Sequence, residues 1–580
     1  MTPLKDFRGV FSSFAVSYVR YIINMYLLYT YIKGGLMAQY FTERLEKVFH
    51  MIFTSYNQEM AQEGLRQLEL IVNNQQSPEQ TKHQALRNDM TTSLENEIDT
   101  KEDALKIANN PESREIADAY ALLARIYAGP RFTWEESNFP ENNMRTYQCL
   151  HDSIRRCSPI GTLQALRING TITPTVEKDM LISFNDAFHI VYDYAKQGDA
   201  FCQYIIGNVF FWRDDDRISL ARDMITPPRL SLAKRIQQSL QKGSIQERIS
   251  TLQGTVSDET LQENATTFAK EWFNKALNNG LAMFQGNLRN IYIDEGDFDN
   301  ARRVALTAAE LGNPTMMLYT GLDCHEHGKF EDAFTWFTKG AALGQAESTA
   351  ELADYYYHFY DTKELRRLIP YNPVKAIGLY RRAATKHFSD AGYAALQAAF
   401  GYIFHIGHLP LDWGLIADLT HMAATKERFM FSLPYIGYMR IHGLGVTKNI
   451  RFGVQSLTRV LDEEKRALEE EDRVLFYDIT RALTRVALGY AYEKGEWKTV
   501  IRNFYPDLDA AVAYYEESHQ YMLSHKADLD EELKDIPIDN EAEERLAAFK
   551  EIDGHWHYKE GFTESISTVR PGHTEWPQNA

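Results

Sequence analysis

The sequence predicts an all-α chain, a right-handed α/α superhelical solenoid of paired helices. Three observations predict it. Gly280, Gly296, Gly312, Gly328 and Gly344 fall 16 residues apart. The stretches between them carry apolar residues at helical spacing. A large–small–large pattern then recurs at matching places along the chain.

The glycine beat sets the element length. Glycine enters the left-handed conformation without a Cβ penalty, so it ends a helix at little cost. Between the glycines, Phe284, Leu288, Ile291 and Tyr292 form one apolar stripe, and Met317, Leu318 and Leu322 a second. Phe334, Phe337 and Ala341 form a third. Spacings of three, four and seven residues place each set on one face of a helix. One helix per beat makes an antiparallel pair every two beats, a period that marks a helical repeat array.

The first helix of each pair is marked by a large residue, a small residue and another large residue three positions on. It reads Leu123-Ala124 with Tyr127, Ile206-Gly207 with Phe210, Leu352-Ala353 with Tyr356, and Phe400-Gly401 with Phe404. Ile436-Gly437 and Leu488-Gly489 repeat its start. The small residue lets neighbouring helices approach to about 8–10 Å. The second helix reads Ala333, Trp336, Phe337, Lys339, Ala341 and Ala342 in one copy, and Ala376, Leu379, Tyr380, Arg381, Ala383 and Ala384 in another. Its alanine pairs permit close stacking on the next unit.

On these residues the chain resembles the Sel-one-like repeat family, a branch of the tetratricopeptide-like α/α solenoids. Gly437 to Asn449, with Gly443, Gly445 and Val446, is similar to that family's inter-helix loop. Asp332 to Gly344 and Val374 to Ala384 are similar to its second helix. The resemblance runs over residues 117–520 and is plainest over 265–460. Arg289 departs from it, standing where a small residue is expected. The resemblance implies an adaptor that binds and assembles other proteins.

The 580 residues would suggest about four globular domains at roughly 150 residues each. The repeats replace that count with a stack whose length measures the number of helix pairs. Residues 37–116 are expected to form an N-terminal helical cap, 117–212 the first repeats, and 265–520 the main solenoid. Residues 213–264 interrupt a pair as an insertion, with a locally basic run from Arg229 to Arg248. Residues 521–580 are read as an acidic final helix through about 550, followed by a loosely packed tail from Gly554.

Hydrophobic residues make up 44% of the chain and aromatics 12%, which excludes disorder by composition. A net charge of −18 repels phosphate backbones, so nucleic acid is not an expected partner. Cys149, Cys157, Cys202 and Cys324 make no disulfide framework and fit a reducing, cytoplasmic setting. The N-terminus leaves an alternative open. Val10 to Ile32 is long enough to span a bilayer, although Arg20 near its centre would cost about 2.5–3.5 kcal/mol. It would anchor the chain to the inner membrane. The other reading starts the protein at Met37. Lys33-Gly34-Gly35 can be encoded by codons like a bacterial ribosome-binding site, leaving residues 1–36 as leader.

Chemistry is sparse. Cys324-His325-Glu326-His327 is the densest cluster of potential metal ligands, but neighbours on one helical turn do not converge on an ion, so no metal site is assigned. Ser231 and Lys234 match the S-x-x-K pattern of serine hydrolases without its partner motifs. That pattern supports only a remote hydrolase reading in which the insertion forms the site. The expectation is therefore a non-enzymatic scaffold without cofactors, binding a protein or peptide on the concave face that stacked first helices present. Its candidate lining is Asn287, Asn290, Asp294, His325 and Glu326, then Tyr402, His405, Tyr438, Tyr490 and Glu493. This is an aromatic and polar surface with little positive charge.

Overall fold

A computed structural model describes residues 39–73, 100–168, 177–228, 231–245, 256–283, 285–357, 363–386, 388–403, 409–426, 429–469, 478–495, 505–528 and 541–560. The candidate anchor at 10–32, the start at Met37 and His405 lie outside the described residues. So do Phe284, Arg229 and Arg248. Among the described residues no helix is long and apolar enough to cross a membrane.

The fold is an all-α solenoid of helix pairs, in two compact units, Met1–Asn313 and Pro314–Ala580. The first unit opens with α1 (Glu43–Phe53), α2 (Gln58–Val72) and α3 (Lys101–Asn109). Its pairs are α4 (Pro111–Tyr127) with α5 (Asn143–Arg155), and α6 (Pro159–Ile168) with α7 (Phe184–Lys196). Next comes α8 (Ala200–Phe211), and the insertion then folds as α9 (Ser219–Ile225) and α10 (Leu232–Ser239). The partner of α8 follows as α11 (Asp258–Asn278). The last pair of the unit is α12 (Gly286–Asp294) with α13 (Phe298–Glu310).

In the second unit α14 (Pro314–Glu326) pairs with α15 (Phe330–Ala342). Then α16 (Ala346–Tyr357) pairs with α18 (Pro373–Ala384), with short α17 (Lys363–Leu368) between them. The remaining pairs are α19 (Ala391–Ile403) with α20 (Trp413–Thr425), α21 (Phe429–His442) with α22 (Ile450–Glu469), and α23 (Asp478–Lys494) with α24 (Leu508–Asp528). The unit closes with α25 (Glu541–Leu546) and a two-stranded antiparallel hairpin, β1 (Phe549–Ile552) and β2 (His555–Tyr558).

The glycine beat terminates helices as expected. All five beat glycines have positive φ, between +72° and +100°. At Gly296 the hydrogen bonds are those of a Schellman motif: Gly296 N–H donates to Ile293 and Asp297 N–H to Tyr292, at 2.9 and 2.8 Å. Gly344 repeats it through Ala341 and Gly340. The small residues of the first helices lie at close seams. A Cβ on Gly207 would meet the Phe273 ring at 2.5 Å, and one on Gly489 the Tyr515 ring at 2.7 Å. Helix starts are set by side-chain caps at Asn110, Asp199, Asp297 and Asp412.

The final segment differs from the sequence reading. Residues 549–558 are neither the end of a helix nor a loose tail. Asp553 and Gly554 both have positive φ and form a two-residue turn that joins β1 to β2. Phe549 is buried in the core of the second unit, which holds the hairpin in place. Residues 561–580 lie outside the described residues.

Candidate functional site

In the first unit, the first helices of four successive pairs open onto one cavity of about 270 Å³. Arg125 comes from α4, Gln164 and Arg167 from α6, Tyr204 and Asn208 from α8, and Asn287 from α12. Turns after α4 and α8 add Arg131, Trp212 and Asp214. The lining holds three arginines against one aspartate, in a chain of strongly negative net charge. Arg167 stands on α6, which lacks the large–small–large pattern, so no register assigned it to this face.

Each cationic group is held differently. Arg167 grips Asp214 with two parallel hydrogen bonds, Nε to Oδ2 at 3.0 Å and Nη2 to Oδ1 at 2.7 Å. Its guanidinium also lies over the Trp212 ring, 5.2 Å from the centroid. Burial pushes the Asp214 carboxyl up to about 6, with Arg167 acting against the rise. Arg125 is only 2% exposed, and its guanidinium lies among the Phe132, Phe201 and Tyr204 rings at 5.6–5.8 Å. Gln164 is 3% exposed, and neither its amide nitrogen nor its oxygen has a hydrogen-bond partner.

In the second unit the predicted lining is covered. Tyr438, Tyr490 and Glu493 are buried rather than open, because the chain's own residues 541–558 pack on them. Tyr438 donates to Glu541 at 3.1 Å. Glu493, 3% exposed, accepts from Tyr515 at 2.7 Å and Tyr558 at 2.8 Å. Arg545 Nη1 lies 3.4 Å from Glu493 and the guanidinium 5.0 Å from the Tyr490 ring centre. His442 sits between the Tyr438 and Tyr490 rings, with centroids 4.5 and 4.4 Å away. Both its ring nitrogens are enclosed without a hydrogen-bond partner, and burial and Arg545 pull its pKa down to about 3. Burial pushes the Glu541 carboxyl up to about 7.

The other predicted residues are scattered. Asn290 and Asp294 are exposed on α12, and Glu326 is exposed at the end of α14. His325 is half-buried, its Nδ1 2.7 Å from the Tyr355 hydroxyl. Tyr402 is buried and accepts from Arg381 at 3.0 Å. Asn287 alone among the ten lines the cavity. Ser231 and Lys234 are both exposed at the start of α10.

Paired helices, Schellman turns and small-residue seams define an α/α repeat protein. The Sel1 repeat family model matches residues 305–345, 346–387, 435–455 and 481–518, and over these stretches the chain is similar to Sel1 repeats. Among solved structures the chain is similar to a Sel1 repeat protein from Oxalobacter formigenes, at 19% identity and a TM-score of 0.26. That match covers 40% of this chain and 84% of the other. It is also similar to a protective antigen of uropathogenic Escherichia coli strains that displays an SLR fold, at 14% identity and a TM-score of 0.30. Here 74% of this chain and 91% of the other are covered. No curated protein matches the chain. Sel1 repeats are generally protein-interaction modules.

Proposed function

We propose that the chain is a non-enzymatic scaffold that binds protein or peptide partners on the face formed by its first helices, the concave side of such a stack. The observation that carries this reading is the seating of residues 541–558 on Tyr438, Tyr490 and Glu493. The face holds a polypeptide segment there through phenol–carboxylate hydrogen bonds, a buried ion pair and aromatic contacts. Such contacts recognise a segment by shape and hydrogen-bond pattern and need no catalytic group. The reading places the scaffold in the cytoplasm. Affinity purification of the full chain from its native extract, followed by mass spectrometry, tests it. Recovery of a stoichiometric protein partner is expected, and recovery of none above background would overturn it.

A further inference from the structure

Residues 541–558 cover the face of α21, α23 and α24 without fitting it closely. Arg545 is buried between two carboxylates, yet its Nη1 stands 3.4 Å from both oxygens of Glu493 and its Nε 3.8 Å from Glu541 Oε1. A well-seated guanidinium–carboxylate pair closes to about 2.7–2.9 Å. Among the described residues, five enclosed polar atoms at this contact have no hydrogen-bond partner: both His442 ring nitrogens, Glu541 Oε1, and Arg545 Nε and Nη2. Each opposes the contact that encloses it. Burial also pushes the Glu541 carboxyl up to about 7, against its charged form. The apolar hold is small. Ala542, Ala548 and Phe549 are the buried apolar side chains of the segment, and Phe549 is the one large group among them.

The face beneath is built without the segment. Helix α21 packs on α22 through Gly437 and Leu457, and α23 on α24 through Gly489 and Tyr515. When the segment leaves, Glu493 keeps Tyr515 at 2.7 Å and Lys494 at 3.4 Å. Water then reaches His442, Glu541 and Arg545 and supplies the hydrogen bonds that the contact denies them. What is uncovered is Tyr438, Tyr490 and Glu493, an aromatic and carboxylate surface on first helices.

We propose that residues 541–558 are an internal stand-in for a partner, and that they yield to a peptide segment of another protein bearing the same three groups in the same order: a carboxylic acid for Tyr438, a guanidinium for Glu493 and an aromatic ring for Tyr515. The proposal rests on the scaffold reading and names the chemistry of the partner at this face. Two measurements on the full chain test it. In native-state hydrogen exchange, the 549–558 amides are expected to exchange at least about ten-fold faster than those of α23, relative to intrinsic rates, because the segment opens while the helices stay folded. The second measurement is binding of a fluorescein-labelled peptide of residues 541–558. It is expected to bind the Phe549→Ala chain about ten-fold more tightly than the native chain, because truncating a buried ring weakens the internal competitor. Tyr558→Phe, a milder change with a gain of about five-fold, serves where Phe549→Ala does not fold. The same peptide carrying Arg545→Ala is expected to bind about ten-fold less tightly. Segment amides that exchange no faster than those of α23 overturn the proposal. So does equal peptide binding to the native and weakened chains, no binding to a folded weakened chain, or equal binding of the Arg545→Ala peptide. A native dimer that the labelled peptide splits assigns the occupant to a second copy and overturns it too. A segment that stays shut in a protein that still captures partners from extract overturns this inference and leaves the scaffold standing.

Discussion

Tyr558 donates its hydroxyl to the Glu493 carboxylate at 2.8 Å, joining the last strand to a first helix 65 positions earlier. Tyr515 donates to the same carboxylate, and Arg545, 1% exposed, lies beside it. Removing one donor differs from removing the acceptor. Tyr558→Phe leaves Tyr515 and Arg545 in place and is expected to cost about 1 kcal/mol. Glu493→Ala leaves Arg545 buried without its nearest carboxylate and is expected to cost about 3–5 kcal/mol. Urea unfolding of the two variants checks the ranking. Equal costs would mean that the carboxylate is not the hub of the cluster.

The same cluster fixes a pH dependence. The folded pKa of Glu541 is raised from its usual carboxylate value to about 7, by burial. Between pH 4.5 and 7 the folded state therefore keeps a proton that the unfolded state has lost. Stability falls as pH rises through that window, by as much as roughly 3 kcal/mol from this group. Glu541→Gln keeps a hydrogen-bond acceptor for Tyr438 and removes the titration. Thermal unfolding is expected to show a smaller stability loss from pH 5 to pH 8 in this variant than in the native chain. Parallel curves would refute the assignment.

His442 has the opposite sign. Its folded pKa is depressed to about 3, so it stays neutral in the fold while the unfolded chain takes up a proton below about 6.5. The native chain loses this contribution as pH falls from 6.5 toward 3. Neither ring nitrogen is satisfied, and the ring is packed between two tyrosines. His442→Phe keeps the aromatic packing and removes the unsatisfied nitrogens. It is expected to stabilise the protein by about 1 kcal/mol at pH 7, with a larger gain at pH 5. A destabilised variant would show that the imidazole has a partner.

The helix pairs were legible because their signal is local. A glycine with positive φ and a small residue at a seam are properties of single positions, and periodicity repeats them. The lining was only partly legible. The residue after each small residue faces the same side: Tyr402 after Gly401, Tyr438 after Gly437, Tyr490 after Gly489. Applied to Ala124 and Gly207, that rule points to Arg125 and Asn208, both in the cavity. Gln164 and Arg167 had no such mark, because α6 lacks the pattern. The covering of Tyr438 and Glu493 depends on residues 52–103 positions away, which no local pattern reports. The hairpin did leave a signal, Asp553-Gly554 between Phe549 and Tyr558, which the loss of helical periodicity obscured.

The role of the small residues as seams yields a paired test. A Cβ on Gly321 in α14 would meet the Phe337 ring of α15 at 2.6 Å, whereas one on Gly378 in α18 meets nothing within 4 Å. Alanine is favoured over glycine in a helix by about 1 kcal/mol. At Gly378 that gain stands alone, so Gly378→Ala is expected to stabilise the fold by up to about 1 kcal/mol. At Gly321 the gain is opposed by overpacking, which costs about 1–3 kcal/mol when the ring must shift. Gly321→Ala is therefore expected to destabilise. Phe337→Leu shortens the opposing side chain, so the double variant should lose less than the sum of the two single changes. Denaturant unfolding of the full cycle measures that coupling. A coupling of zero, or a stabilising Gly321→Ala, would show that the α14–α15 seam is not set by the absence of a side chain at Gly321.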